Sequence, residues 1–229
     1  MRFLFAPSLR FSVCFTRSVD FQTIPPLLGA AAMSEVVPTA LILGHSFVKR
    51  LKRDLHQGFD SRASCDFNLL GTASVRLHGV GGRTVQTLQA NDLRVVRDLA
   101  PDIVILEIGT NDLSKLPPEK VGSAIEDLVR LFQSDFSVRA IGVCYVIPRG
   151  ILSSHAMSFW RNATVLNQYV NVVLADLPNV FCWRHPEFNN PHKDFYLADG
   201  VHLNPSGQYL LYRSYRGAVL KAVGLLPKN

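Results

Sequence analysis

What the chain lacks narrows it first. Charged residues make up only 18% of its 229 residues, against 48% apolar. That is neither the low hydrophobicity nor the high charge of a disordered chain. Gly and Pro, at 15 and 13, are ordinary counts, which excludes collagen-like and low-complexity classes. The four cysteines, Cys14, Cys65, Cys144 and Cys182, contain no CxxC pair. A small disulfide scaffold is excluded, and reduced thiols in a reducing compartment are expected. Neither HExxH nor a paired CxxC accompanies Cys182, His185 and His192, so no metal and no cofactor are expected. No uninterrupted apolar run reaches the ~18 residues of a membrane-spanning helix.

Acids are in short supply, and the formal charge is +6. Residues 1–33 contribute Arg2, Arg10 and Arg17 against Asp20. A modest positive excess reads first as a solvated surface. It leaves nucleic acid, anionic membranes and acidic substrates open without selecting one. The first 35 residues are rich in Phe and Ser and contain Pro25-Pro26. They read as a flexible extension with Met33 as the working start, which goes with a cytoplasmic protein. A mitochondrial presequence over residues 1–32 is the alternative, because such presequences favour Arg and Ser and avoid acids.

From residue 36 onward, β-rich apolar runs alternate with helical spacing. Strands are expected over 39–43, 74–78, 102–108, 138–147 and 180–183. Helices are expected over 47–56, 84–99, 118–132, 159–177 and 206–223. The runs DIVILEI and VRAIGVCYVI are near-continuously apolar, as in strands buried on both faces of a parallel sheet. Val85, Leu88, Leu93, Val96 and Leu99 recur near a 3.6 period. This alternation argues for one α/β domain over 36–229, with a parallel sheet covered on both sides. In such folds the chemistry gathers where loops leave the carboxyl ends of the strands.

Four loops at that edge stand out. Gly44-His45-Ser46 follows the first strand and opens a helix. A serine there points its hydroxyl outward, and its own N–H is among the unpaired donors of the helix. Gly79-Val80-Gly81-Gly82-Arg83-Thr84 follows the second strand. Its glycines let backbone approach a ligand closely, but Thr84 breaks the GxGxxG dinucleotide spacing. Gly109-Thr110-Asn111-Asp112 follows the third strand, and Asp199-Gly200-Val201-His202-Leu203-Asn204 precedes the last helix. Each alone has an ordinary structural explanation, as a helix cap or a tight turn. Together they supply a nucleophile, amide donors, and a histidine with a carboxylate three residues away.

These blocks, in this order, resemble the SGNH or GDSL-like hydrolases over about 39–224. GHS matches the nucleophile block at Ser46, and GVGG places the second block's glycine at Gly82. GTND places the third block's asparagine at Asn111, and DGVHLN matches the DxxH block at Asp199 and His202. GVGGRT and Ile147-Pro148-Arg149-Gly150 look like the platelet-activating-factor acetylhydrolase branch. The resemblance implies a flavodoxin-like, three-layer αβα sandwich with a five-stranded parallel sheet. It further implies a serine esterase acting on a short acyl, acetyl or lipid ester through an acyl-enzyme. Ser46 would be the nucleophile, His202 the base and Asp199 its orienting partner. Ser46, Gly82 and Asn111 would form the oxyanion hole, and Gly44 and His45 the nucleophile turn.

Two departures accompany the resemblance. His45 stands where the family usually has Asp, and Leu77-His78 stand where an Asn is often found. His45 either braces the turn or retunes the site. The alternative function is a weak or inactive SGNH-fold module that binds an anionic lipid or nucleic acid. Lys49-Arg50-Leu51-Lys52-Arg53 is the feature that carries it. On a helix these charges are expected around the axis, as a solvated face. No zinc knuckle or sustained heptad supports a nucleic-acid partner, and nothing in the sequence specifies an oligomer.

Overall fold

The computed structural model of the chain describes residues 37–150, 156–189 and 194–227. The N-terminal extension, Cys14 and His192 lie outside the described residues. Five strands, β1 (Thr39–Gly44), β2 (Ser74–Gly79), β3 (Ile103–Glu107), β4 (Ala140–Cys144) and β5 (Val180–Trp183), form one sheet. Five helices alternate with them: α1 (Ser46–His56), α2 (Val85–Leu99), α3 (Pro118–Asp135), α4 (Ala156–Val173) and α5 (Pro205–Val223). The strands run parallel in the order β2-β1-β3-β4-β5. The sheet is thus the five-stranded parallel one expected.

Alternation along the strands builds the two outer layers. Ala40 and Ile42 of β1, with Ile103 and Ile105 of β3, face Phe47, Val48 and Leu51 of α1 and Leu211, Tyr215 and Val219 of α5. Leu41, Leu43, Val104 and Leu106 point the other way, against Leu88 and Val96 of α2, Ile125 and Val129 of α3, and Leu166 and Val170 of α4. Successive residues of a strand face opposite sides, so a strand sandwiched between helices is apolar throughout. Each such side chain contributes about 1.5–3 kcal/mol by leaving water. Ile105, fully buried on the central strand, is a position where truncation to Ala costs roughly 2–5 kcal/mol.

Some element ends differ from the expected ones, for local reasons. β4 stops at Cys144 instead of continuing to residue 147. Beyond it, Val146 donates its N–H to Asn167 Oδ1 at 2.9 Å and accepts from Asn167 Nδ2 at 3.2 Å. A side-chain amide on α4 thus takes the place of a strand neighbour. In α4 the described helix runs from Ala156 to Val173 and not from 159 to 177. Two short 3-10 turns, Asp112–Ser114 and Pro186–Asn189, join the order.

The order 2-1-3 makes the chain reverse between β1 and β3. Loops leaving adjacent strands on opposite sides open a crevice at that switch point, and ligands bind there in open α/β sheets.

Candidate active site

The nucleophile turn is stitched to its neighbours on both sides. His45 donates its N–H to the Glu107 carbonyl at 3.3 Å, and Val80 donates to the Gly44 carbonyl at 3.0 Å. Gly44 makes this closeness possible, since a Cβ there would meet the Glu107 carbonyl oxygen at 2.2 Å. His45 is the N-cap of α1, and its Nδ1 accepts from the Phe47 N–H at 3.4 Å. Ser46 is therefore the first residue of the helix, half-buried at its N-terminus.

The loop after β2 carries Gly82 in a left-handed conformation, φ 75°, which glycine adopts without the usual steric cost. Below it, Arg83 pairs with Asp92 of α2 through two bonds of 2.6 and 3.0 Å, and His78 reaches the same carboxylate at 3.2 Å. Burial opposes the charge on Asp92, but the Arg83 and His78 side chains outweigh it and lower its pKa. Thr84 and Thr87 form a capping box that starts α2. Asn111, after β3, donates through Nδ2 to the Arg83 carbonyl at 2.8 Å. Asp112 accepts from the Val85 N–H at 3.0 Å. The third loop thereby ties down the second.

Asp199 and His202 sit on a loop held at both ends. Leu197 donates its N–H to the His202 carbonyl at 2.7 Å, and Gly150 donates to the Gly200 carbonyl at 2.8 Å. Asn204 caps α5 by accepting from the Gly207 N–H at 2.9 Å. His202 Nδ1 lies 2.6 Å from Asp199 Oδ2. Asp199 Oδ1 accepts from the N–H groups of Val201 and His202 at 2.9 and 2.8 Å. Desolvation works against the charge, but these donors and the ring overcome it and hold the Asp199 carboxyl at about 2. An ionised carboxylate only accepts, so Nδ1 carries the proton and Nε2 is the basic nitrogen.

Ser46, Gly82, Asn111 and His202 all line one cavity of about 580 Å³. No direct hydrogen bond joins Ser46 to His202 among the described residues. Such contacts commonly tighten only when substrate is present. The description GDSL-like Lipase/Acylhydrolase family matches residues 42–210. The chain belongs to this family. A comparison with curated protein sequences finds no match.

Solved structures agree on the fold of this GDSL-like acylhydrolase. One is a GDSL-like lipase from Bacteroides thetaiotaomicron, with TM-score 0.63 and 16% identity over 81% of this chain and 89% of that one. A second, a catalytic mutant of an acetylxylan esterase from Geobacillus stearothermophilus, has TM-score 0.57 and 17% identity over 84% and 97%. The third is a Streptococcus pneumonia protein provisionally described as a platelet activating factor, with TM-score 0.59 and 19% identity over 82% and 86%. The chain is an ester-hydrolysing enzyme of α/β fold, and family membership points to small-molecule esters as substrates. No helix among the described residues is long and apolar enough to cross a membrane.

The acylhydrolase also holds groups that the sequence reading did not single out. Glu107, fully buried at the end of β3, accepts from His185 Nε2 at 3.1 Å and from the Tyr215 hydroxyl at 3.0 Å. Its other oxygen faces His45 Nε2 at 3.6 Å. His185 Nδ1 lies 2.8 Å from Ser214 Oγ, which also accepts from Trp183 Nε1 at 3.0 Å. Burial pushes the Glu107 carboxyl up, yet the His185 bond and the nearby His45 ring bring it down to about 2. Glu107, Cys144 and His185 bring ligand-type atoms within 4.8 Å of one another. Desolvation, then the charge of Glu107, pushes the Cys144 thiol up, so it keeps its proton. Thr110 also lines the cavity; it is buried, and its hydroxyl has no partner among the described residues. The basic run is solvated at Lys49, Lys52 and Arg53, as expected, but is not spread evenly around the helix. Lys49, Arg50 and Arg53 share the cavity with Ser46, and only Lys52 lies elsewhere, beside Leu55 and His56.

Proposed function

We propose that this acylhydrolase is a serine esterase that works through an acyl-enzyme, with Ser46 as nucleophile. The observation that carries this reading is the shared cavity of Ser46 and His202, together with the 2.6 Å contact that fixes the imidazole tautomer. Ser46 Oγ attacks the ester carbonyl while His202 Nε2 takes its proton. The imidazolium then returns that proton to the leaving alcohol, and a water deprotonated by the same nitrogen releases the acid. Asp199 holds the ring and stabilises its charged form.

The developing oxyanion meets the N–H groups of Ser46 and Gly82 and the second hydrogen of the Asn111 amide, whose first is given to Arg83. Removing one such donor typically costs ~3 kcal/mol of transition-state stabilisation. His45 and Glu107 act as positioning residues. Nδ1 of His45 accepts from the Phe47 N–H, which leaves the proton on Nε2, 3.6 Å from the Glu107 carboxylate and beyond hydrogen-bond distance. The pair takes over the bracing for which the family commonly uses Asp.

Ser46→Ala tests the reading. Hydrolysis of a short-chain nitrophenyl ester is expected to fall by ~10³-fold or more, with the circular dichroism unchanged. Turnover at the wild-type rate would refute the assignment. The other reading, a binding module, is separated by the same assay, because a module without chemistry hydrolyses nothing in either form.

A further inference from the structure

Ser46, Lys49, Arg50 and Arg53 stand at positions i, i+3, i+4 and i+7 of α1. That spacing puts all four on one helical face, and all four line the same cavity. The opposite face, with Phe47, Val48, Leu51 and Leu55, is buried against the sheet. The cations are therefore a wall of the active site and not a band around the helix. At 1.5 Å rise per residue, they stand about 5–10 Å along the axis from the nucleophile.

The arrangement is electrostatically unfavourable without a ligand. Lys49 and Arg53 are an i,i+4 pair of like charge, and Arg50 and Arg53 an i,i+3 pair, each destabilising by a few tenths of a kcal/mol. The first turn of α1 contains Lys49 and no acid, so Lys49 lies near the positive end of the helix dipole, whereas Arg53 stands in the last turn. Asp54 relieves only Arg53, through bonds of 2.8 and 2.6 Å. Among the described residues no Asp or Glu lines the cavity, although Asp199 lies behind His202. The buried, unpartnered hydroxyl of Thr110 on the facing loop adds a second group awaiting a ligand.

Resting on the esterase reading above, we infer that the substrate is an ester carrying an anionic group, such as phosphate, sulfate or carboxylate, about 5–10 Å from the scissile carbonyl. Lys49 and Arg50 bind that group and set the specificity. Arg53 extends the wall while shared with Asp54. The attraction acts in a cleft with low-dielectric walls, where a cluster of one sign raises local substrate concentration and on-rate by 10-fold or more.

The test uses two matched esters, naphthyl acetate and its ring-sulfonated counterpart, each rate divided by its uncatalysed rate. At low salt the sulfonated ester is expected to have kcat/KM about tenfold higher or more. High salt, and the double substitution Lys49→Gln with Arg50→Gln, bring the ratio toward one. Lys52→Gln, outside the cavity, leaves the ratio unchanged. Competition by inorganic phosphate against phosphatidylserine vesicles, at equal phosphate, distinguishes a soluble anion from a lipid headgroup. A wild-type ratio of one or less, or a ratio untouched by the double substitution, overturns the inference while leaving the esterase standing. Hydrolysis of neither ester overturns the esterase reading, and this inference with it.

Discussion

Two imidazole–carboxylate pairs lie at the same edge of the sheet, and water separates their roles. In the Asp199–His202 pair the side chains are 46% and 25% exposed, and His202 lines the cavity. In the His45–Glu107–His185 cluster exposure is 1%, 0% and 2%, and the ring nitrogens face neighbouring protein atoms. An imidazole with a free nitrogen beside water can exchange protons with a substrate. One with both nitrogens enclosed can only hold its neighbours in place. Under the proposed function the same chemical pair is a catalyst in one setting and a brace in the other, and burial decides between them.

The contrast predicts that perturbing the open pair removes rate, whereas perturbing the sealed cluster removes stability. The largest effect is expected for His202→Ala, a loss of ~10³-fold or more in kcat with the unfolding midpoint nearly unchanged. Steady-state kinetics alongside urea unfolding would show it, and a stability loss matching the rate loss would break the contrast. Next comes Glu107→Ala. Removing one member of a buried hydrogen-bonded pair costs about 3–5 kcal/mol, read as a lower urea midpoint. His45→Asp belongs with it. A second carboxylate facing Glu107 is expected to lower stability and to leave turnover no higher, despite restoring the residue usual in the family. Adding Glu107→Gln to that variant should recover part of the loss.

Asn111→Ala sharpens the comparison from the catalytic side. A loss of ~10²–10³-fold in kcat, with KM little changed, is expected for an oxyanion donor. The smallest effect is a pH dependence. The folded carboxyl of Glu107 titrates at about 2, against an ordinary value of 4.5. Its stabilisation is therefore complete above about pH 4.5 and lost as pH falls toward 2. The groups facing it are His45, His185, Tyr215 and Cys144. Unfolding midpoints between those pH values should fall less steeply in Glu107→Gln than in the parent. Equal slopes would show that the cluster does not carry the acid limb.

The sequence and the structure part company at identifiable residues. The five strands were legible because sandwiched strands are apolar on both faces, and the four loop blocks because turn and cap residues are local. Glu107 was not legible as a brace, although a lone acid closing the run DIVILEI was a visible signal. Asp92 left a similar mark, since it occupies the slot between Leu88 and Val96 in an apolar stripe. In both cases the partners, His185, Tyr215 and His45 or Arg83 and His78, come from other elements. A destination of that kind follows from strand order and not from spacing. The basic run, solvated as expected at Lys49, Lys52 and Arg53, was only partly legible for a different reason. Its relation to Ser46 by i+3, i+4 and i+7 was present in the sequence, but the face that meets the cavity depends on which side of α1 the sheet covers.

Labelling the intact protein with a fluorophosphonate, followed by peptide mass spectrometry, tests the central claim most directly. The account predicts one adduct, on Ser46, abolished by Ser46→Ala and slowed by His202→Ala. An unlabelled wild-type protein, or an adduct on another serine that persists in Ser46→Ala, would contradict it.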